Sequence, residues 1–418
     1  MPRPALALLA ALLAAPLMAQ VPAPPKPVTP APSGYPAEVE ALYMARFNNT
    51  ATNGVGGLGN YDPLEDIVGA PAQSLSKASS SAISDTALAA AEAYAKANNS
   101  SAFMVIHKGK LIHESYFGDT DAESLIVSKS LAKPITALAV GRALMLGKIK
   151  SLDQPVGEIL EEWKDKPQGE IRIRHLLDMR SGLLAQGNSL DPMNMWSRSY
   201  LHPYHERIIL EEYPLTDAPG SIYEYSNATS ELIALIIERT TGRRYGEFVG
   251  TEILQKIGAP GGKVWINREG GLAHSGCCAL LPAQSYARMA MLVEQDGTWG
   301  GQRLLPEGYV AEMKTGTAQN PYYGMGLWLG GTYIERRGFP NPDRPGPKVL
   351  HSEPYLTNDL VMFDGNSNQI VYIVPSQDLI VLRTGERPPA KTEWDNAKLI
   401  NTILAGLKTD TPLTPQPR

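Results

Sequence analysis

Cysteine is nearly absent from this chain of 418 residues, which has only two, Cys277 and Cys278. The Cα atoms of neighbouring residues lie about 3.8 Å apart, below the span that a disulfide usually bridges. The sequence therefore predicts no disulfide framework, and we interpret the pair as two small residues packed in a core. A chain of this length can bury enough apolar surface to be stable without such cross-links.

A strong charge of one sign is also lacking, as are familiar metal and nucleotide motifs. The formal net charge of -5 gives no electrostatic reason to expect nucleic acid or an anionic membrane surface as a partner. The seven histidines show no metal-ligand spacing, and neither H-E-x-x-H nor G-x-S-x-G occurs. GVGGLG at 54–59 matches G-x-G-x-x-G, but no strand precedes it and no helix start follows. We therefore expect no metal and no organic cofactor.

Long apolar runs are confined to the N-terminus. An apolar stretch from Ala5 to Leu17 follows Arg3 and leads to small residues that end at Ala19. This pattern is typical of a secretory signal peptide over residues 1–19, and the run is short for a spanning helix. The alternative is an uncleaved anchor. We expect a bacterial protein that is periplasmic or secreted, with no membrane span after removal of the peptide.

Composition divides the remainder into a leader, a folded domain and a tail. Residues 20–82 are predicted to be a Pro-rich linker followed by an irregular lead-in, because Pro, Gly, Asn and Ser dominate them. Residues 83–408 are predicted to form the domain, with a helical insertion at about 128–255, and residues 409–418 to form a tail.

Within the domain, a helical pattern at 85–99 precedes two β-rich runs around Lys108–Lys110, which predict a hairpin. Beyond residue 260, short apolar runs alternate with turn residues before an amphipathic closing helix. Strands from both ends with helices between them predict an α+β fold, with an antiparallel sheet flanked by helices and an inserted, mainly helical domain.

Ser-x-x-Lys occurs twice, and the two copies differ in their surroundings. Ser74 and Lys77 lie in a polar stretch with no helical pattern, whereas Ser130 and Lys133 open a long apolar helix. Residues three apart on a helix share a face, so the hydroxyl and the amine can meet. The helix N-terminus favours an oxyanion, and partial burial lowers the pKa of a lysine toward that of a usable base. Pro134 sits early in this helix, where the donor it lacks costs little.

Tyr225-Ser226-Asn227 is the one Tyr-x-Asn in the chain, and it precedes another helical pattern. In an extended segment, residues two apart point the same way, so a phenol and a carboxamide can enter one cleft. The phenol can relay a proton, and the amide can hold Lys133 or a substrate carbonyl. The alternative is a packed tyrosine beside a helix-capping asparagine.

With these motifs the chain resembles the β-lactamase-related serine hydrolases over roughly residues 85–408. That family includes AmpC-type β-lactamases, DD-peptidases, family VIII esterases and 6-aminohexanoate-dimer hydrolases. The similarity is carried by SLAKPITALAVGRALMLGKIKSLDQPV from Ser130, by IRIRHLLDMRSGL at 171–183, by PGSIYEYSNATSELIALIIERTTG at 219–242 and by QIVYIVPSQDLIVLRTG at 369–385. Residues 276–306 are most similar to the 6-aminohexanoate-dimer branch. The resemblance implies a β-lactamase/DD-peptidase-like fold with Ser130 as the nucleophile.

The third element of the family, Lys-Thr-Gly or its substitute, has two candidates. Lys314-Thr315-Gly316 matches the motif residue by residue. In this family, however, the element is expected on the strand that precedes the last strand, and the closing helix follows that last strand. That place belongs to Asp364-Gly365-Asn366. We therefore expect Gly365 and Asn366 to provide a backbone N–H for the oxyanion and Lys314 to lie elsewhere. Without a lysine there, recognition of a β-lactam carboxylate is in doubt.

The resulting hypothesis is hydrolysis of a small-molecule ester or amide through an acyl-enzyme. Ser130 attacks, and Lys133 and Tyr225 handle the protons, with the choice of base between these two left open. Asn227 supports them. One alternative is a DD-peptidase or β-lactamase, and another is a non-catalytic binding or sensor protein on the same fold. The sequence does not indicate an oligomeric state.

If residues 1–19 are a signal peptide, the mature protein from its native host should begin near Gln20 and be recovered from the periplasm or the medium. N-terminal sequencing of the active protein measures this directly. Active protein that begins at Met1 or Pro2 would contradict the prediction.

Overall fold

The computed structural model describes residues 34–53, 61–71, 74–187, 189–339, 341–342 and 345–418. The predicted signal peptide and the GVGGLG segment lie outside these residues. The strands are β1 Leu64–Ile67, β2 Ser100–His107, β3 Lys110–Tyr116, β4 Ile126–Val127, β5 Gly262–Trp265, β6 Ala279–Leu281, β7 Thr298–Trp299, β8 Gln302–Arg303, β9 Trp328–Leu329, β10 Arg336–Gly338, β11 Lys348–Leu350, β12 Val361–Gly365, β13 Gln369–Val374 and β14 Leu379–Gly385. The helices are α1 Ala37–Asn53, α2 Asp85–Ala97, α3 Ala132–Met145, α4 Ile173–Leu177, α5 Met195–Leu201, α6 His205–Arg207, α7 Asn227–Thr241, α8 Tyr245–Val249, α9 Ala283–Glu294, α10 Tyr309–Met313 and α11 Asn396–Ala405.

The central sheet has six antiparallel strands in the order β3-β2-β14-β13-β12-β9. Its first two strands form the hairpin that the sequence predicts, with His107 opposite Lys110. Lys108 and Gly109 between them both have positive φ angles, 52° and 69°, as tight two-residue hairpin turns require. The last strand, β14, pairs with β2, so the two ends of the domain meet in the middle of the sheet.

Helices cover both faces of the central sheet, as the side chains that alternate along β2 show. Phe103 and Val105 pack with α2 and α11 in one apolar cluster. Met104 and Ile106 belong to a second cluster that contains α3, α7 and α9. Because successive side chains of a strand point to opposite faces, a continuous apolar run such as β2 fits a sheet between two helical layers. The predicted α+β fold is confirmed.

A smaller antiparallel sheet, in the order β1-β5-β6-β4, leads into the long buried helix α3. Strand β4 ends at Val127, and a short 3-10 turn over Lys129–Leu131 joins it to α3. Every residue of α3 from Ala132 to Ala143 is buried, as its apolar sequence predicts. Pro134 lies in the first turn, where a missing N–H does not break a helical hydrogen bond.

The structure differs from the sequence prediction in the lead-in, where part of residues 20–82 is regular. Helix α1 packs Tyr43 and Phe47 against Trp265 of β5, and β1 pairs with β5. Glu40 accepts hydrogen bonds from the buried Arg198 guanidinium. A few aromatic side chains and one buried ion pair therefore anchor a segment whose overall composition is typical of a linker.

The tail also has a fixed contact. Gln416 is buried, and its side-chain amide donates to the Gly330 carbonyl (2.7 Å). Between residues 34 and 418, the described part of the chain has no helix of the length and apolarity needed to cross a bilayer.

The prediction that Cys277 and Cys278 remain unlinked is wrong, because the structure records a disulfide between them. The pair is buried as expected, in a turn fixed by Tyr200, whose OH donates to Cys277 Sγ, and by Trp265, whose N–H donates to the Cys278 carbonyl. The span rule concerns cysteines that distant segments bring together, and it did not anticipate two sulfurs within one tight turn.

Candidate active site

Ser130 lies on the 3-10 turn that begins α3, partly exposed to solvent. The turn is fixed by Ser128, whose N–H donates to the Ala279 carbonyl and whose Oγ accepts from the Ala279 N–H. Lys129 has a φ of 49°, a conformation that is uncommon for residues other than glycine and is concentrated at functional sites. The sharp turn places the Ser130 hydroxyl at the N-terminal end of a buried helix.

Lys133 is the centre of the polar contacts around Ser130. Its Nζ donates to Ser130 Oγ (3.3 Å), to Asn227 Oδ1 (2.8 Å) and to the Gly276 carbonyl (3.0 Å). Burial lowers the pKa of Lys133 to about 7, and the Glu231 carboxylate opposes that shift. The ammonium therefore loses its proton near neutral pH, which makes Lys133 a possible base for the hydroxyl beside it.

Tyr225 and Asn227 reach the same lysine from the start of α7. Ser226 between them is extended (φ -148°, ψ 132°), so the two flanking side chains project to one side. The Tyr225 ring lies 4.6 Å from Lys133 Nζ. Burial raises the pKa of the Tyr225 phenol far above its usual value, and the neighbouring Ser130 hydroxyl opposes that shift only in part. The phenol is thus a proton donor rather than a phenolate.

Gly365, at the end of β12, lies directly against the nucleophile turn. A Cβ built on it would lie 3.2 Å from both the Ser130 and the Leu131 backbone nitrogens. Asn366 follows it and is exposed. Strand β12 therefore brings backbone close to Ser130 at the position expected for the third element, and the approach is so close that even a Cβ would be tight.

Lys314 lies elsewhere, at the C-terminal end of α10, where its charge acts on Glu294 of α9. Thr315 bonds back to the Ala311 carbonyl of the same helix. The rival serine is also remote from these contacts, because Ser74 is exposed and Lys77 pairs with Glu114 (3.6 Å) at the edge of the sheet.

The structure also assembles residues that the sequence analysis did not connect. Glu231, His205 and His274 are fully buried and mutually close. Both histidines are core residues, and without a metal-ligand spacing the sequence did not indicate that they lie beside the same carboxylate. Glu231 lies one helical turn after Asn227, a spacing that could have indicated it. The two histidines come from separate segments, and no sequence spacing relates them.

Comparisons with known proteins identify the family of this chain. A sequence model of the beta-lactamase family matches residues 88–400. The chain belongs to the beta-lactamase family. Members of this family are hydrolases that act through an acyl-enzyme, which supports an enzymatic role for this chain.

Individual relatives are distant. The chain is 23% identical over 232 residues to the 6-aminohexanoate-dimer hydrolase of Paenarthrobacter ureafaciens, a match that covers 51% of this chain and 57% of that protein. A putative 6-aminohexanoate-dimer hydrolase from Bacillus anthracis has a similar structure (TM-score 0.64, 18% identity, 87% of this chain and 92% of that chain). A penicillin binding protein from Bacillus halodurans is also similar (TM-score 0.52, 18% identity, 76% of this chain and 98% of that chain). At these identities the structural likeness establishes the fold.

The two candidates for the third element can be separated by substitution. Gly365→Val should lower kcat/KM on an activated ester by about a hundredfold to a thousandfold, the usual effect of losing one oxyanion donor. The added side chain would collide with the Ser130 turn. Lys314→Ala should leave the rate nearly intact, as substitutions away from a site usually do.

Cooperative thermal unfolding of both variants would show that the fold is retained. If Lys314→Ala is the impaired variant, the assignment of β12 to the oxyanion site is wrong.

Proposed function

We propose that this protein is a serine hydrolase that cleaves an ester or amide bond of a small molecule through an acyl-enzyme. The observation that carries the proposal is the contact between Lys133 Nζ and Ser130 Oγ in a buried setting that lowers the pKa of the amine to about 7. A lysine with its usual pKa would hold its proton at neutral pH and could not accept one.

In the first step the neutral Lys133 amine takes the Ser130 proton while Oγ attacks the substrate carbonyl. The carbonyl oxygen becomes an oxyanion, stabilised by the Ser130 N–H and by the backbone N–H of Asn366 beyond Gly365. Tyr225 passes a proton to the leaving alcohol or amine and recovers one from Lys133, so the carbon–heteroatom bond breaks and the acyl-enzyme remains.

The second step repeats this chemistry with water as the nucleophile. Water gives its proton to the Lys133–Tyr225 pair and adds to the acyl carbonyl. Collapse of the new oxyanion releases the carboxylic acid and returns the proton to Ser130. Asn227 keeps Lys133 in place throughout, because its Oδ1 accepts from Nζ at 2.8 Å.

A fluorophosphonate probe tests the nucleophile and distinguishes an enzyme from a binding protein on the same fold. Ser130→Ala should abolish both covalent labelling and turnover, because Ser130 Oγ is the one hydroxyl oxygen in contact with Lys133 Nζ among the described residues. The matched control Ser74→Ala, which alters the other Ser-x-x-Lys copy, should change neither. Retained labelling of Ser130→Ala, located by peptide mass spectrometry, would remove the basis of the proposal.

The charges at β12 favour a substrate that has no carboxylate in the part that would lie beside this strand. Asp364 precedes Gly365 and pairs with the buried Arg337 (2.7 Å), so the guanidinium beside this strand is already paired. A β-lactam or a D-amino-acid peptide would present a carboxylate to a strand whose counterpart of Lys-Thr-Gly, Asp364-Gly365-Asn366, has no lysine.

A substrate panel should therefore rank short-chain esters or linear amides above a chromogenic cephalosporin and D-amino-acid peptides. We expect kcat/KM for the cephalosporin to be about tenfold to a hundredfold lower, since a hydrogen bond to a charged group contributes roughly 1.5–3 kcal/mol. Preferential turnover of the cephalosporin would instead support the β-lactamase alternative.

A further inference from the structure

Directly behind Lys133 lies a group of three buried titratable side chains, Glu231 of α7, His205 of α6 and His274 of the loop before β6. All three have fully buried side chains. His274 Nδ1 lies 3.6 Å from Glu231 Oε1, and His205 Nε2 lies 4.0 Å from Glu231 Oε2. In the described residues these nitrogens and oxygens lack hydrogen-bond partners of ordinary geometry, although the backbone N–H groups of Gly276 and Ser275 face the carboxylate. Buried polar groups in native proteins are normally paired, so this group needs a functional explanation.

The group is connected to Lys133 along two routes. On α7, Glu231 lies one turn after Asn227, so both side chains lie on the helix face toward the lysine. Through the backbone, Gly276 gives its carbonyl to Lys133 Nζ (3.0 Å) while its N–H faces the carboxylate. A Cβ on Gly276 would lie 3.1 Å from Glu231 Oε1. A single residue, Gly276, therefore separates the lysine from the carboxyl group.

We propose that Glu231, held by His205 and His274, is a positioning residue that sets the protonation state of Lys133 and thereby the pH range of acylation. The inference rests on the proposed function, because it assigns Glu231 a role through the base rather than on the substrate.

The ionisation of the two groups supports this role. Burial raises the pKa of Glu231 to about 7, and His205, Gly276 and Lys133 oppose the shift. Burial lowers the pKa of Lys133 to about 7, and Glu231 is the charged group that opposes it. Two groups that titrate in the same range and attract each other share their protons. A charged Glu231 favours the ammonium, and a neutral Glu231 favours the free amine.

Other ionisable groups face this cluster and are held in fixed states. Tyr200 of α5 and Tyr245 of α8 face the carboxylate, and burial keeps both phenols protonated. Arg46 of α1 and Arg268 act on the imidazoles, whose pKa values burial already lowers well below normal. The two histidines are therefore neutral, and the carboxyl group is the member of the cluster that changes charge near neutral pH.

A metal ion is the other occupant to consider, since two imidazoles and a carboxylate are common ligands. The ring geometry argues against it. His205 and His274 stack face to face, with centroids 4.2 Å apart and planes at 23°, and His274 stacks in turn on Trp265 at 3.6 Å. Imidazole lone pairs lie in the ring plane, so nearly parallel rings do not direct them to one point.

The test is the pH profile of kcat/KM for an activated ester, which reports the ionisation of the free enzyme. Glu231→Gln keeps the shape of the side chain and removes its charge. Loss of a nearby negative charge lowers the pKa of Lys133, so the acidic limb should move to lower pH, by roughly one unit. The control Glu238→Gln removes a carboxylate from the same helix that pairs with Arg244 (3.2 Å), and it should leave the profile unchanged.

A second variant keeps the test decisive if Glu231→Gln does not fold. His274→Phe preserves the stacking on Trp265 but removes the nitrogen that faces Glu231. The carboxyl group then ionises less readily, so the acidic limb should shift in the same direction by a smaller amount. A folded Glu231→Gln or His274→Phe protein with a wild-type profile would overturn the proposal.

Two further measurements complete the experiment, the metal content of the purified protein and probe labelling of Ser130. One equivalent of a transition metal in the purified protein, with loss of activity on chelation, would also overturn the proposal and make the cluster a metal site. Probe labelling of Ser130 distinguishes failure of this proposal from failure of the proposed function. If Ser130 is labelled but the pH profile of the variants is unshifted, only the role of Glu231 is refuted.

Discussion

Removal of the Lys133 ammonium from water is the constraint on which the rest of the site depends. A buried cation is unfavourable unless polar atoms surround it, and here the acceptors come from three places: the turn before α3, the first residue of α7 and the loop before β6. Each must be held within hydrogen-bond distance by its own scaffold. The stacking of α3 on α7 and the pairing of β4 with β6 therefore serve the lysine as much as the core.

The same constraint explains why the site is polar on one side and tightly packed on the other. Tyr225 packs its ring between Lys133 and Phe339, with centroids of the two aromatic rings 4.6 Å apart, so the lysine is covered by aromatic surface on this side. Opposite, β12 presents bare backbone because Gly365 has no side chain. Burial of this kind strengthens the electrostatic interactions between the groups of the site.

Much of this could be predicted from the sequence, because it depends on local rules. The Ser-x-x-Lys spacing, the apolar character of α3 and the two-residue hairpin at Lys108 each follow from a few neighbouring residues. The position of Gly365 was predicted from the order of the strands rather than from a match to the Lys-Thr-Gly motif. What could not be predicted depends on encounters between distant segments. Glu231 meets its histidines only in three dimensions, and α1 is anchored by a few aromatic contacts in a stretch whose composition suggests a linker.

The pairing of β2 with β14 has a consequence for when the protein can act. Ser130 is made early in translation, but the strand that carries Gly365 and the strand that locks the sheet come near the end. Contacts between such distant segments form late, after the entropy of closing the long intervening loop has been overcome. A nascent or truncated chain therefore has Ser130 and Lys133 without the backbone of β12 beside them. The topology therefore completes this arrangement only when synthesis of the domain is nearly finished.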